Sequence, residues 1–371
     1  MNVIVIFTYG ISLKSWNESG ILDREMEFYK RMAEKYNIYY SFLTFGFKDD
    51  ESYIKKFNGM KVYPVYKYIK KSEYKYINLF RSLLIPFKLK KQLSNNQLIK
   101  TNQLNGGWIG IILKKLLKIP LFTRTGYNLY EFSLYNKKST LVKLFHYLLT
   151  QAAIMFSDLY TVTSKADQDF LEEKFITTKN IQIIPNWVEG MTHNDFDKRY
   201  KNKILTVGRL EKQKNIGSLI KSFKGSEIEI DIVGEGGEKS SLIELSKKLD
   251  VKANFLGKVN FKELSKIYKN YKIFILPSLF EGNPKALLEG MANGCLIIAA
   301  HNKNVQEIIT NNENGILYSF EDNLVEITQY YLNNQEATNK IIQNAYRTIE
   351  EHNQIKNIME TEIYNYKKLI E

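Results

Sequence analysis

The feature that most restricts the fold of this sequence is a regular alternation of short apolar runs with amphipathic helical patterns. Such alternation is typical of parallel α/β sheets, because parallel strands must be joined by a crossover that is usually a helix. Seven candidate strands lie in the first half of the 371-residue chain and six in the second half. They are Val3–Thr8, Ile38–Phe45, Lys61–Val65, Leu98–Thr101, Leu121–Thr123, Leu159–Thr163 and Ile181–Ile184, followed by Lys203–Val207, Glu229–Val233, Ala253–Leu256, Ile273–Leu276, Leu296–Ala300 and Gly315–Tyr318. The sequence therefore predicts an α/β protein with two parallel sheets.

The length of the chain and one polar segment predict how these sheets are divided into domains. A chain of 371 residues exceeds what one hydrophobic core usually serves. The segment "THNDFDKRYKNK" between the two sets of strands has few core-forming residues and suits a linker. We predict a first Rossmann-like domain over residues 1–192, a linker over 193–202, a second Rossmann-like domain over 203–354 and a final helix over 355–371. Ligands of such sheets bind beyond the carboxyl ends of the strands.

The stretch "PSLFEGNPKALLEGMANG", residues 277–294, follows one of the predicted strands of the second half. Asn283 suits a helix N-cap and Pro284 suits a first turn, so a helix is expected from Pro284 to about Ala292. The amides at such a helix start attract phosphate. Glu281 and Glu289 would repel a phosphate unless they accept hydrogen bonds from neutral groups, and sugar hydroxyls fit that requirement.

Two further glycine-containing strand exits lie upstream of this stretch. In "ILTVGRLEKQKNI", Gly208 allows a sharp exit, and Arg209 and Lys214 can bind phosphate oxygens, the first bidentately and the second as a point charge. In "DIVGEGGEKSSL", close packing of the turn is by itself a sufficient explanation of the glycines. The sequence therefore predicts that a diphosphate binds between the first exit and the helix after Pro284.

In this order and spacing, "VGRLEKQKN", "VGEGGE" and "PSLFEGNPKALLEGMANG" resemble motifs of the GT-B-fold retaining glycosyltransferases of family 4. The resemblance covers the second half, and "IIPNWVEG", residues 183–190, is similar to the segment that ends the family's first domain. It implies two Rossmann-like parallel-sheet domains that face a central cleft, with the final helix crossing back to the first domain.

The resemblance also implies roles for individual residues. Glu289 would accept hydrogen bonds from the ribose of a nucleotide-sugar donor, and Glu281 would bind the transferred sugar. Arg209 and Lys214 would bind the diphosphate and stabilise its charge as it leaves, so that Arg209, Lys214 and Glu281 form the catalytic set. The other implied donor-binding residues are Gly20, which we favour over Gly10, together with Gly208, Gly257, Lys258, Gly282, Asn283 and Lys285.

The first half departs from the family's pattern at one position. Relatives place a histidine after a middle strand, whereas "PLFTRTGYN" has Arg124 there, which we expect to contact the diphosphate or the acceptor. None of the four histidines, His146, His193, His301 and His352, receives a catalytic assignment. Because the leaving diphosphate itself can take the acceptor's proton, the resemblance requires no protein nucleophile. We expect no metal and no cofactor, only a UDP-sugar or GDP-sugar as donor.

Positive charge is concentrated in the first half of the chain. Residues 51–150 hold 19 Lys and Arg against 3 Asp and Glu. Such a stretch suits a solvated face, nucleic acid, an anionic acceptor or a membrane surface. No recognised nucleic-acid motif accompanies it, so we expect no nucleic acid and favour contact with an anionic membrane or a lipid-linked acceptor.

The number of cysteines and the first residues of the sequence indicate the cellular compartment of the protein. The sequence has one cysteine, Cys295, in an apolar run that favours a buried thiol, and its first residues lack the features of a signal peptide. These features, with the absence of an apolar run long enough to span a bilayer, predict a cytoplasmic protein. The basic stretch over residues 51–150 adds the expectation that it is peripheral at the inner face of the cell membrane.

The resemblance, together with the basic stretch, implies a retaining hexosyltransferase that moves sugar from a nucleoside-diphosphate sugar to a hydroxyl of a growing lipid-linked polysaccharide or cell-envelope glycan. Three alternatives stay open. A nucleotide-sugar epimerase of the same fold would need an acid/base set, which the first half does not offer. The others are a non-catalytic nucleotide-sugar-binding partner of another transferase and a nucleic-acid-binding protein.

Overall fold

The protein divides into two compact units, each built around one sheet. A computed structural model describes residues 1–55, 57–177, 181–190 and 196–371. The first unit comprises Met1–Ile184 and Met359–Glu371, and the second comprises Pro185–Ile358. Residues 193–195 of the predicted linker, including His193, lie outside the described residues.

The first unit contains a seven-stranded parallel sheet in the order β3-β2-β1-β4-β5-β6-β7. Its strands are β1 (Asn2–Ile6), β2 (Tyr39–Thr44), β3 (Met60–Pro64), β4 (Leu98–Thr101), β5 (Leu121–Arg124), β6 (Leu159–Val162) and β7 (Ile181–Ile183). Its helices are α1 (Leu13–Glu18), α2 (Leu22–Tyr36), α3 (Asp50–Tyr53), α4 (Val65–Tyr68), α5 (Lys75–Ser82), α6 (Ile85–Leu93), α7 (Gly107–Leu117), α8 (Leu129–Tyr135), α9 (Thr140–Phe156) and α10 (Lys165–Lys174).

The second unit contains a six-stranded parallel sheet in the order β10-β9-β8-β11-β12-β13. Its strands are β8 (Tyr200–Val207), β9 (Glu229–Val233), β10 (Ala253–Gly257), β11 (Tyr271–Leu276), β12 (Leu296–Ala300) and β13 (Ile316–Tyr318). Its α-helices are α11 (Ile216–Ser222), α12 (Lys239–Lys248), α13 (Phe261–Tyr268), α14 (Lys285–Ala292), α15 (Leu324–Asn333) and α16 (Gln335–Thr348). Short 3-10 turns span Phe196–Lys198, Lys212–Lys214 and Val305–Glu307, a π-helical turn spans Ile349–Asn353, and α17 (Ile355–Ile370) follows.

The prediction of an α/β protein with two Rossmann-like parallel sheets is confirmed, and each predicted strand overlaps an observed strand. Burial explains the agreement, since β11 and β12 are buried along their whole lengths and, apart from Lys272 in β11, consist of apolar or aromatic residues. The largest difference is at the predicted linker, where β8 begins at Tyr200 and thus includes residues 200–202.

The side chain of Arg199 gives the physical reason for that difference. Its guanidinium is buried and donates hydrogen bonds to the carbonyl oxygens of Tyr271 at 2.9 Å, Asn293 at 2.8 Å and Gly294 at 2.5 Å. A segment that is polar in sequence is therefore part of the core of the second unit. The polarity of this segment predicts a linker, but the charge of Arg199 can be buried because three backbone carbonyls accept its hydrogen bonds.

In the first unit, the last helix is held by a buried ion pair. The Nζ atom of Lys100, in β4, contacts the Glu362 carboxylate, and the Tyr366 hydroxyl donates to the same carboxylate. The Lys100 and Glu362 side chains are only 3% and 2% exposed. Burial lowers the pKa of Lys100, against the raising effect of Glu362. This pair fixes the register of the last helix against β4.

The single cysteine is wholly buried, as its apolar run predicts. Cys295 is 0% exposed, and burial raises the pKa of its thiol to about 12. The Sγ atom lies 3.2 Å from the carbonyl oxygen of Tyr268. The thiol is therefore a structural group and is protected from reagents while the protein is folded.

Among the described helices, none is long and apolar enough to cross a bilayer.

We expect Glu362→Gln to lower the free energy of unfolding by about 3–5 kcal/mol, because it leaves the Lys100 ammonium buried without a counter-charge. Urea denaturation measures this change. The matched control is Lys252→Ala, which breaks the exposed pair with Glu227 and should cost at most about 1 kcal/mol. Equal effects of the two substitutions would contradict the role given to the buried pair.

Candidate functional site

The candidate site residues of the second unit lie at one edge of its sheet. Strands β8, β9, β10 and β11 are parallel neighbours, so their carboxyl ends meet at the same edge. Gly208 and Arg209 follow β8, Gly257 ends β10, and Glu281 lies in the segment that leads from β11 to α14. Parallel pairing thus brings together segments that are up to about seventy residues apart in the sequence.

The exits of β8, β9 and β10 are packed backbone against backbone. The Gly208 amide donates to the Val233 carbonyl at 3.0 Å, and the Gly234 amide donates to the Gly257 carbonyl at 2.8 Å. Gly234 has a φ of +144°, and a Cβ atom there would lie 1.9 Å from the Gly208 carbonyl oxygen. Gly236 is similarly close to Leu210, whose carbonyl oxygen would lie 2.3 Å from an added Cβ. Gly234 and Gly236 of "VGEGGE" therefore permit the close packing that positions the Gly208–Arg209 exit.

The segment after Arg209 is fastened to the segment before α14 by hydrogen bonds from Gln213. The Gln213 Nε2 atom donates to the Phe280 carbonyl at 2.8 Å, and the Leu279 amide donates to the Gln213 carbonyl at 2.9 Å. Asn215, directly after the 3-10 turn, adopts a left-handed conformation with a φ of 52° and is the N-cap of α11. These contacts hold Lys214 beside the Glu281 segment.

Lys214 and Glu281 form an ion pair, which brings together two predicted site residues. The Lys214 Nζ atom donates to the Glu281 Oε1 atom. Their side chains are 15% and 7% exposed, so water screens the pair only partly. An ammonium group has three N–H donors, so Lys214 can bind a phosphate oxygen while it contacts Glu281. The stem of Lys214 also lies over Gly208, 3.4 Å from the position of an added Cβ.

Helix α14 begins one residue later than the sequence predicts. Pro284 is the N-cap with a φ of −72°, no side chain caps the helix, and Lys285 is its first residue. The prediction of Asn283 as N-cap is therefore wrong. Its Oδ1 atom instead accepts a hydrogen bond from the Asn186 amide at 2.9 Å, and its carbonyl accepts from Asn186 Nδ2 at 2.6 Å. The fixed φ of Pro284 starts the helix without a capping side chain.

Asn186 and Trp187 are site-supporting residues that the sequence reasoning missed. Besides its two bonds to Asn283, Asn186 accepts from Asn353 Nδ2 at 2.8 Å. The Lys285 ammonium lies 4.8 Å from the centre of the Trp187 ring. The similarity of "IIPNWVEG" to a family segment does single out these two residues, but it predicts that they end the first domain. Pro185 and the residues after it belong to the second unit, where they hold the segment that leads into α14.

Glu289 lies in the middle of α14 and is only 6% exposed. Its neighbours Leu287, Leu288 and Met291 are fully buried, so α14 is fixed in the core on more than one side. At the other end of this helix, the Asn293 and Gly294 carbonyls accept from Arg199. A cation at a helix C-terminus is stabilising. The orientation of the helix that carries Glu289 is thus determined by packing and by Arg199.

The remaining predicted residues of the second unit differ in their exposure to solvent. Arg209 and Lys258 are exposed, and Gly282 is buried beside Glu281. Gly257 has a φ of 70°, which a residue with a side chain adopts rarely. Nothing in the described part of the chain groups three or more His, Cys, Asp or Glu side chains in a way that could hold a metal ion.

Two predicted site residues belong to the first unit. Gly20, with a φ of 72°, donates its amide to the Asn17 carbonyl and closes α1, whereas Gly10 lies in the loop that directly follows β1. Arg124 is the last residue of β5, and its amide donates a hydrogen bond to Thr101 Oγ1 at 3.0 Å. Both residues thus lie near the carboxyl ends of strands or in the connections that follow them.

Comparison with known proteins identifies the second unit. Residues 193–348 match the family model described as glycosyl transferases group 1. This region is similar to that family. The similarity to GT-B-fold glycosyltransferases that the motifs indicate is thereby confirmed, while membership of family 4 and a retaining reaction stay predictions.

Two relatives carry names that describe an acceptor. One is the N-acetylgalactosamine-N,N'-diacetylbacillosaminyl-diphospho-undecaprenol 4-alpha-N-acetylgalactosaminyltransferase of Campylobacter jejuni, 31% identical over 43% of this chain and 46% of the relative. The other is the UDP-Gal:alpha-D-GlcNAc-diphosphoundecaprenol alpha-1,3-galactosyltransferase of Escherichia coli, 25% identical over 75% of this chain and 78% of the relative. The chain spans about half the length of the first curated relatives that it matches.

The whole fold is also similar to a solved structure. Anabaena Alr3699/HepE in complex with UDP and glucose superposes with a TM-score of 0.78 at 14% sequence identity, covering 100% of both chains. At this identity the likeness establishes the fold alone. The GT-B fold class is therefore confirmed for the whole chain.

We expect Gly234→Ala to destabilise the protein by more than about 3 kcal/mol and to weaken donor binding, because the added Cβ would force Gly208 away from its position. Thermal melting with and without UDP measures both effects. Gly237→Ala is the matched control, since a Cβ at Gly237 meets no atom within 4 Å. A Gly234 variant as stable as the Gly237 variant would show that this close approach is unimportant.

Proposed function

We propose that the protein is a retaining, metal-independent glycosyltransferase that moves a hexose-type sugar from a UDP-sugar or GDP-sugar to a hydroxyl of a growing glycan. The acceptor is a lipid-linked polysaccharide or cell-envelope precursor, and the enzyme works in the cytoplasm at the inner face of the cell membrane. The observation that carries this proposal is the pairing of Lys214 with Glu281 immediately before α14.

The pairing supports this chemistry because it combines a cation for the diphosphate with an acceptor of hydrogen bonds for the sugar. Glu281 holds Lys214 in place through a short contact, and Gln213 fastens the two segments that carry them. Arg209, which precedes Lys214 in the sequence, is exposed, and its guanidinium can bind further phosphate oxygens bidentately. The first-turn amides of α14 add a positive potential. Glu289, buried in α14, suits the ribose hydroxyls of the donor.

In the proposed reaction, the acceptor oxygen bonds to the anomeric carbon on the same face from which the diphosphate leaves. The bond between the anomeric carbon and the diphosphate oxygen breaks, and the proton of the acceptor hydroxyl passes to that oxygen. Arg209, Lys214 and the start of α14 stabilise the negative charge that develops on the leaving group. The protein contributes positioning and electrostatic stabilisation, and no protein nucleophile is required. Arg124, at the end of β5, is proposed to contact the diphosphate or the acceptor.

The comparisons support the substrate classes. The two named relatives act on diphospho-undecaprenol-linked sugars, and the superposed structure contains UDP and glucose. The basic stretch over residues 51–150 suits the anionic diphosphate and lipid headgroups of such an acceptor.

We expect Lys214→Ala to lower turnover by about 10²–10³-fold, since it removes a charge that stabilises the leaving group. Single-turnover release of UDP or GDP from a panel of nucleotide sugars is the measurement. Lys212→Ala is the matched control, because Lys212 is exposed in the same 3-10 turn and has no proposed contact with the donor. Equal rates for the two variants would overturn the assignment of Lys214.

Turnover should persist after dialysis against EDTA, because Arg209, Lys214 and the start of α14 supply the positive charge that a metal would otherwise provide. The measurement compares the rate before and after chelation, with added Mg²⁺ or Mn²⁺ as the control. A rate that falls to background with EDTA and returns with Mn²⁺ would contradict metal independence.

A further inference from the structure

We propose that the first unit binds the interfacial region of an anionic lipid bilayer through one apolar and basic face, here called the α5–α9 face. It is formed by the exposed side chains of α5, the start of α6, and α9, chiefly Phe80, Leu84, Phe87, Leu141, Leu144 and Leu148. This inference deepens the proposed function, on which it rests for its biological purpose, by naming the surface that brings the enzyme to a lipid-linked acceptor.

The outer side of α9 is an unusual surface for a helix of a globular protein. Leu141, Leu144 and Leu148 are 79%, 51% and 57% exposed, and their spacing of three and four residues places them on one stripe. On its other side, Leu149 and Ile154 are buried in the core of the first unit. The helix therefore carries large apolar side chains on its exposed side as well as on its buried side. A helix of this kind normally has a second apolar surface against its outer stripe.

Helix α5 and the start of α6 present a second stripe of the same kind. Phe80, Leu84 and Phe87 are 66%, 52% and 59% exposed, again at spacings of three and four residues. Large aromatic and aliphatic side chains of this exposure are typical of helices that lie in a membrane interface. The exposed Lys88 and Lys91 flank this stripe.

Trp108, in α7, links the two stripes. Its Nε1 atom donates to Ser82 Oγ of α5 at 2.9 Å, and its ring centre lies 6.1 Å from that of Phe145 in α9. Phe145 is itself 36% exposed. One side chain therefore contacts both of the helices that carry the stripes.

The charge of this region identifies the occupant. Between Tyr74 and Ser157 the chain has 13 Lys and Arg against a single acidic residue, Glu131, which is only 7% exposed. Two of these cations are neutralised from outside the range, since Lys100 is buried against Glu362 and Lys114 pairs with Asp158. A second copy of this chain would bring the same positive charge to the contact and would be repelled. A nucleic acid would leave the apolar stripes uncovered. An anionic bilayer fits both the positive charge and the apolar stripes. Its lipid phosphates attract the lysines, and the region between its headgroups and acyl chains accepts the apolar side chains.

The face adjoins the end of the sheet at which an acceptor would bind. Tyr9, in the loop that follows β1, has its ring centre 5.4 Å from that of Trp108, and its hydroxyl donates to the carbonyl of Lys75, the first residue of α5. The carboxyl end of β1 is thus in contact with the helices of the α5–α9 face. A lipid-linked sugar presented at the bilayer surface would therefore meet the sheet edge where ligands of such folds bind.

The test compares the unmodified protein with the double variant Leu141→Glu/Leu148→Glu in sedimentation with phosphatidylcholine vesicles that contain phosphatidylglycerol. Both side chains are more than half exposed, so their replacement should leave the melting temperature unchanged. We expect binding to the vesicles to weaken by about tenfold or more, because two apolar contacts are lost and two negative charges are added. Phe320→Glu, at an exposed aromatic of the second unit, is the matched control and should bind as the unmodified protein does.

A second measurement separates insertion from adsorption. Because Cys295 is buried, a cysteine introduced as Leu148→Cys can be labelled alone with an environment-sensitive nitrobenzoxadiazole dye. We expect a blue-shifted, brighter emission with anionic vesicles and no change with pure phosphatidylcholine vesicles. Unchanged emission with both, or equal vesicle binding by the Leu141→Glu/Leu148→Glu variant, would overturn the proposal. So would a stable dimer in sedimentation velocity that the double variant abolishes, since a second copy would then cover the face.

This test is independent of the transferase reaction. The stabilisation of the double variant by UDP in a thermal melt should equal that of the unmodified protein, because Leu141 and Leu148 are not among the residues proposed to bind the donor, and Arg209, Lys214 and Glu289 belong to the second unit. Loss of vesicle binding with intact UDP stabilisation would support the α5–α9 face. Vesicle binding without any nucleotide effect would overturn the proposed donor site and leave the membrane surface in place.

Discussion

The parallel pairing of β8 with β9 on one side and β11 on the other is the constraint on which the rest of the second unit depends. It places the ends of three strands at one edge, so that residues from separate parts of the sequence become neighbours. Glycine is required where those exits touch, because Gly234 lies against the Gly208 carbonyl. The Gln213 bonds then fasten the next segment to Phe280. Lys214 and Glu281 meet as a consequence of this packing, and their ion pair follows from the sheet topology.

The sequence predicted the sheets well, because the buried strands are nearly continuous apolar runs separated by helical patterns. It predicted the composition of the candidate site but not its contacts. The sequence predicts that Lys214 and Glu281 each bind the donor, but it does not predict that they pair with each other. Their pairing depends on the hydrogen bonds of Gln213, which leave no periodic pattern in the sequence. Asn283 has the residue type of an N-cap, and tertiary hydrogen bonds to Asn186 override that local preference.

The linker and the α5–α9 face show two further limits of sequence reasoning. Arg199 lies in a polar run, and only the fold reveals that three carbonyls surround its guanidinium. For α9, the apolar residues around the helix are visible in the sequence. Which of them are covered depends on the neighbouring helices, so the sequence indicated the positive charge of the region but not its exposed Leu141–Leu148 stripe.

The assignment of Pro185 to the second unit has a practical consequence for building chimeras from related enzymes. Asn186 and Trp187 contact Asn283 and Lys285, so they are part of the structural support of α14, although they precede the polar segment in the chain. A lobe exchange joined after residue 192 would combine the tryptophan and asparagine of one parent with the α14 of another. A junction between Ile184 and Pro185 would transfer these partners together, and a second junction near Ile358 would keep Glu362 with its own Lys100.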